Sequence, residues 1–197
     1  MTTQQLIGLL GFAFASSITP GPNNMMLMAS GANYGFRRTI PHMLLVAIGF
    51  AVMIALVGVG LVGLFEAWPP AFTILKVVSA VYLVWLAWKI ATSPPPSAGD
   101  TDGAGKPMTF IQAALFQWVN PKAWTMALTA IAVYARSRSL PAVLLVAAVF
   151  GVINLPSVGV WAAMGQYLRR WMTDDRRRRA FNWGMAALLV GSLGLAL

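Results

Sequence analysis

Residues 41–65, PHMLLVAIGFAVMIALVGVGLVGLF, contain no Asp, Glu, Lys or Arg. A helix of about 20 apolar residues crosses a hydrocarbon core of roughly 30 Å. Inside that core the backbone has no water to bond to, so it must satisfy itself. Five further apolar runs follow the same pattern, at about 4–32, 71–91, 109–135, 140–168 and 180–197. Only 10% of the 197 residues are charged and 58% are hydrophobic, against about 25% charged in a soluble domain. Lipid is therefore the expected solvent, and the expected fold is an all-α integral membrane protein with six transmembrane helices.

The net charge of +9 does not point to nucleic acid, because the basic residues cluster at the ends of apolar runs, where membrane proteins keep them. The odd-numbered connections hold Arg37, Arg38, Lys89, Lys106, Arg169, Arg170 and Arg176 to Arg179. The even-numbered ones hold Arg136 and Arg138. Ten against two puts the odd connections in the cytoplasm and both termini outside. No Lys or Arg precedes Arg37, so the first run lacks the basic start of a signal peptide and is expected to stay as a span. Lys76 is read as snorkelling, His42 as interfacial, and the Arg169–Arg179 cluster as a topology signal with anionic lipid as a secondary contact. With no cysteine and one histidine, no metal site, cofactor site or acid–base pair is expected, so the chain does not read as an enzyme.

Two of the six runs are interrupted. SSITPGPNNMML (16–27) breaks the first, and FQWVNPKAWTMAL (116–128) breaks the fourth. Proline removes a donor and clashes with the preceding turn inside a helix, but suits the first position of a new one after a Thr or Asn cap. Thr19-Pro20 and Asn120-Pro121 both read as such restarts. INLPS (153–157) is a third, milder interruption, for which packing is the favoured role. The long Pro/Gly/Ser-rich stretch 92–108 is a linker between residues 1–91 and 109–197. Three spans in each half make the halves inverted repeats. A shift of 101 positions lays Pro20 on Pro121, Met25 on Met126, Leu27 on Leu128, Ala29 on Ala130 and Arg37 on Arg138.

A helix start carries partial positive charge and unpaired N–H donors. Two restarts from opposite sides would face one central region, and Lys122 adds a full charge there. A carboxylate is the expected guest. Thr19 as cap, Asn23, Asn24 and Asn120 as polar contacts, and Trp124 as a wall complete the candidate site.

TPGPNN near the start, NPKAW opening the second half, ASGANYGFRR, and VYLVWLAWKI closing the third run together resemble the LysE/RhtB family of amino-acid exporters. The resemblance implies an inner-membrane exporter driven by a proton gradient or membrane potential. It carries over the motif Pro20, Gly21, Pro22, Asn23, Asn24, Asn120, Pro121 and Lys122 as substrate-binding. The RhtB-like branch, which exports small neutral amino acids and related metabolites, is the nearest in character, and a homodimer is compatible with so small a chain. All five acidic residues (Glu66, Asp100, Asp102, Asp174, Asp175) fall in connections, so any coupled proton has to travel on Lys122, His42 or the substrate's amine. The alternatives are a non-transporting membrane subunit whose prolines only shape packing, and a channel. A channel would need polar stripes along several spans, and polarity here is concentrated at two points.

Overall fold

The computed structural model describes residues 1–61, 63, 67–68, 70–93, 110–135, 137, 139–172 and 174–194. Most of the expected linker, Glu66, Asp100, Asp102, Lys106, Arg136 and Arg138 lie outside these residues. The described residues are helical with no strand. In chain order the helices are α1 (Thr3–Ile18), α2 (Pro22–Tyr34), α3 (Phe36–Leu56, continued by a π-helical turn Val57–Leu61), α4 (Pro70–Ala91), α5 (Phe110–Val119), α6 (Pro121–Tyr134), α7 (Leu140–Leu168) and α8 (Asp175–Gly194).

Three helical segments are long and apolar enough to cross a membrane: Phe36–Leu61, Thr73–Ala91 and Leu140–Trp171. α1, α2, α5 and α6 are each 10 to 16 residues long, about 15 to 24 Å at 1.5 Å per residue and so each short of a core of roughly 30 Å. Ile48, Val77, Val81 and Val152 are each more than half exposed, an apolar exterior that suits a lipid solvent.

Several boundaries differ from those read in the sequence, each for a local reason. α2 starts at Pro22, not Pro20. A residue before proline is pushed out of the helical region, and both Thr19 and Gly21 precede one. Both are extended, Thr19 at φ −64°, ψ 146° and Gly21 at φ −177°, ψ 172°. Thr19 thus ends α1 rather than capping α2, and the restart waits for the second proline. α3 begins at Phe36 because Gly35 alone, at φ 85°, turns the chain sharply between two helices in a region that glycine enters cheaply. α8 begins at Asp175, before the arginine cluster. The Asp174 carboxylate accepts from the Arg177 N–H at 2.8 Å and so caps a first turn containing Arg176 and Arg177. α7 runs unbroken through Pro156, so INLPS is not an interruption.

α7 is the central post. Phe150 on α7 packs edge-on against Phe50 of α3 and Phe12 of α1, with ring centroids 5.3 and 5.9 Å apart. Higher on the same helix, α7 meets α2 backbone to backbone. A Cβ at Gly31 would strike the Ala162 carbonyl, and one at Gly165 would strike the Met28 carbonyl. Small residues are what let membrane helices approach this closely, where dispersion and short polar contacts replace the hydrophobic effect. On the other flank of α2, Asn33 donates to the Asn182 amide oxygen of α8 at 2.9 Å, and both side chains are buried. α2 is therefore clamped between α7 and α8.

Gly31→Ala is expected to cost about 1–3 kcal/mol by overpacking against backbone that cannot yield. Gly184→Ala, with open space at its Cβ, should leave stability unchanged. Thermal unfolding of both variants in the same detergent checks the contrast.

Candidate functional site

The end of α1 raises an accounting problem. A helix that stops at Ile18 frees its last carbonyls, and in a low-dielectric interior each orphan costs about 1–3 kcal/mol. Each carbonyl from Ala15 to Pro20 has a donor. The Thr19 N–H goes to Ala15 at 3.2 Å and the Thr19 hydroxyl to Ser16 at 3.0 Å. The Asn24 amide donates to Ser17 at 2.9 Å and to Thr19 at 2.8 Å. The Trp161 indole N–H donates to Ile18 at 3.0 Å. The Lys122 ammonium donates to the Thr19 carbonyl at 2.8 Å, to the Thr19 hydroxyl at 3.0 Å and to the Pro20 carbonyl at 3.2 Å. Three other helices thus supply donors to one frayed end.

The second gap is a single residue wide and satisfies itself. Asn120 is the N-cap of α6: its side-chain oxygen accepts from the Lys122 N–H at 3.1 Å, with Pro121 as first helical residue. Pro121 and Asn120 hold the positions that their sequence foretells. Trp124, one turn on, is buried and donates its indole N–H to the Trp118 carbonyl at 2.7 Å, which ties α6 to the last turn of α5.

The two gaps meet. Lys122 leaves the start of α6 and lies on backbone oxygens 102 and 103 residues away in the chain. Gly21 provides the room, because a Cβ there would sit 2.6 Å from Lys122 Cδ. The small cavity alongside, about 30 Å³, is lined by Gly21, Asn23, Asn24, Asn120 and Lys122, all expected from the sequence. Thr19 and Pro20 face Lys122 from the rim; Pro22, buried, opens α2. Trp124 is not among the lining residues.

Four polar lining residues are not among the site residues read from the sequence: Ser16, Ser17, Gln117 and Asn154. Gln117 accepts from the Asn23 amide at 2.9 Å and so joins α5 to α2. A glutamine within an apolar run was the available signal. Asn154, one turn from Phe150 on α7, belongs to the stretch for which the sequence favours packing first and a cavity role second. The Asn23 side-chain oxygen and the Ser17 hydroxyl are buried with no hydrogen-bond partner among the described residues. α2 also has no side-chain cap at Gly21, so the cavity combines an ammonium, an uncapped helix start and two unclaimed polar atoms. The described acidic residues, Asp174 and Asp175, lie outside it.

The LysE type translocator family matches residues 14–197, nearly the whole chain and both gaps. The chain belongs to the LysE type translocator family. Cysteine/O-acetylserine efflux proteins of Escherichia coli K12 and Salmonella typhimurium LT2 are each 30% identical to this translocator over 192 residues, covering 96% of either chain. No solved structure gives a significant match. A translocator family carries solutes rather than converting them, in keeping with a cavity that offers binding groups and no acid–base pair.

Replacing Asn24 by Leu strips the donor from Ser17 and one of two from Thr19. The translocator should lose about 1–3 kcal/mol of stability, read as a lower unfolding temperature in detergent. An unchanged temperature would refute the capping role.

Proposed function

We propose that this translocator is a secondary active exporter of small, neutral amino acids or related metabolites from the cytoplasm, with the substrate held between the two helix gaps. The observation that carries the proposal is the Lys122 ammonium bridging to the Thr19 and Pro20 oxygens. It joins two interruptions that a mere packing role would not require to meet. The efflux names of the relatives support the direction of transport.

Counting α1–α2 and α5–α6 each as one interrupted crossing gives six crossings, in two inverted halves (1–91 and 109–197) joined by 92–108. The pseudo-equivalent restarts are then Pro22 and Pro121. The bias of Lys and Arg towards the odd connections supports cytoplasmic odd loops and outward termini.

A zwitterion suits the cavity because it can exchange both of its charges. Its carboxylate takes the Lys122 ammonium and the N–H groups at the uncapped start of α2. Its own ammonium takes the backbone oxygens that Lys122 gives up, with the Asn23 oxygen as a further acceptor. A cationic side chain would find no carboxylate among the described residues of this site, which favours neutral substrates. The cavity volume of about 30 Å³ is that of one water, so substrate entry requires Lys122 to swing aside. The proton gradient or membrane potential supplies the drive. Lys122, His42 and the substrate amine are the groups available to carry a proton.

Everted membrane vesicles that contain the protein should take up L-cysteine or O-acetyl-L-serine when energised. Lys122→Ala should lower that uptake at least about tenfold, the loss of one interaction worth about 1.4 kcal/mol, while the protein still inserts. Uptake equal to wild type would remove Lys122 from the site. No uptake by either protein would remove the exporter reading for these solutes.

A further inference from the structure

A second polar cavity lies one helical turn further along α2, and the proposed function leaves it unused. Asn23 lines the cavity at the gaps, and Met26, three residues on, lines the second one. The second cavity measures about 90 Å³, three times the first and equal to about three waters at ~30 Å³ each. Its walls come from α2, α3, α4, the segment just after α4, and α5. They bring Ser30, Asn33 and Tyr34 of α2, His42 of α3, Lys89 at the end of α4 and Ser93 just after it to one cavity.

His42 is the decisive residue. The sequence suggests an interfacial histidine by its place at the start of a span; within the bundle it is 3% exposed. Neither ring nitrogen has a hydrogen-bond partner among the described residues. An imidazole has a donor or acceptor at each nitrogen, and leaving both unmet in a buried position costs several kcal/mol at about 1–3 kcal/mol per group. Such a group needs a polar guest. Lys89 contributes a full positive charge to the same walls and no acidic side chain is among them, so the guest is anionic at the point of contact. Its ammonium also stands 4.9 Å from the Trp85 ring centre, which holds the long side chain near the mouth.

The cavity sits at the Tyr34 end of α2 and the Lys89 end of α4. These are the ends that lead into the arginine- and lysine-rich connections. Between the two cavities Met26 packs with Phe116, Leu83 and Leu86 in one buried apolar cluster. The order along α2 is thus polar cavity, apolar partition, polar cavity.

We propose that the cavity around His42 and Lys89 is a second binding station for the carboxylate of the transported solute, occupied before the solute passes the Met26–Phe116 partition. The proposal rests on the transport reading for its direction, but not for its existence, because binding at His42 can be observed without transport.

The chain has a single histidine, so protein labelled with 13C-histidine reports one imidazole. In phosphatidylcholine nanodiscs at fixed pH, L-cysteine kept reduced and acetate should each move that signal saturably, while cysteamine, which lacks the carboxylate, should not. Lys89→Ala should weaken the L-cysteine midpoint at least about tenfold, and Lys89→Arg, which keeps the charge, should hold it within about threefold. No movement in the wild-type protein overturns the proposal, whatever the vesicle assay gives. So does equal movement by cysteamine, or an L-cysteine midpoint unchanged in Lys89→Ala, which would place the solute away from Lys89. A wild-type response with no transport in vesicles would leave the station standing and sink only the exporter reading.

Discussion

The carbonyls freed where α1 stops are the constraint around which the rest of the structure is arranged. In water they would be solvated and the break would cost little. At membrane depth they have to be met by protein, and they are met by Asn24 from α2, Lys122 from α6 and Trp161 from α7. Asn24 is a donor within the α1–α2 segment itself, whereas Lys122 and Trp161 arrive only when α6 and α7 have packed. An isolated α1–α2 segment would leave the Ile18 and Pro20 carbonyls without those donors, so the gap is completed by the bundle. The tight crossing of α2 on α7 at Gly31 and Gly165 serves the same end. It fixes the helix that carries Asn24 against the helix that carries Trp161.

The two gaps solve one problem in opposite ways. At α5–α6 a single residue, Asn120, closes the gap by capping α6 with its own side chain, a local solution that needs no distant partner. At α1–α2 the cap position is Gly21, which has no side chain to offer. Its smallness instead admits the Lys122 stem. One helix start is thereby occupied and the other left open. The asymmetry leaves the start of α2 without a side-chain cap and sets the Lys122 ammonium of α6 on the oxygens just before it.

What could be read from the sequence follows the range of the forces involved. Pro121 after Asn120 is decided by neighbours one or two residues away, and the chain obeys it. α3, α4 and α7 announce themselves by sustained apolarity. The first gap was shifted by two residues because TPGP offers two starts, and the penalty on each residue before a proline selects the later one. The burial of His42, the Asn33–Asn182 pair and the part played by Gln117 and Asn154 depend on which helices become neighbours. No local pattern carries that information. Trp124 looked like a cavity wall because it stands beside the break, but its indole had a nearer carbonyl to satisfy.

Charge bookkeeping around Lys122 narrows what the cavity can accept. In the present arrangement the ammonium is neutralised only by dipoles, the oxygens of Thr19 and Pro20. A solute that carried only an anion would draw Lys122 away and leave those oxygens bare, at the cost their satisfaction avoids. A solute that carried only a cation could replace Lys122 on the oxygens but would leave two positive charges side by side. The zwitterion proposed as substrate, with its two charged groups on one carbon, would do both jobs at once and leave the net charge of the site unchanged.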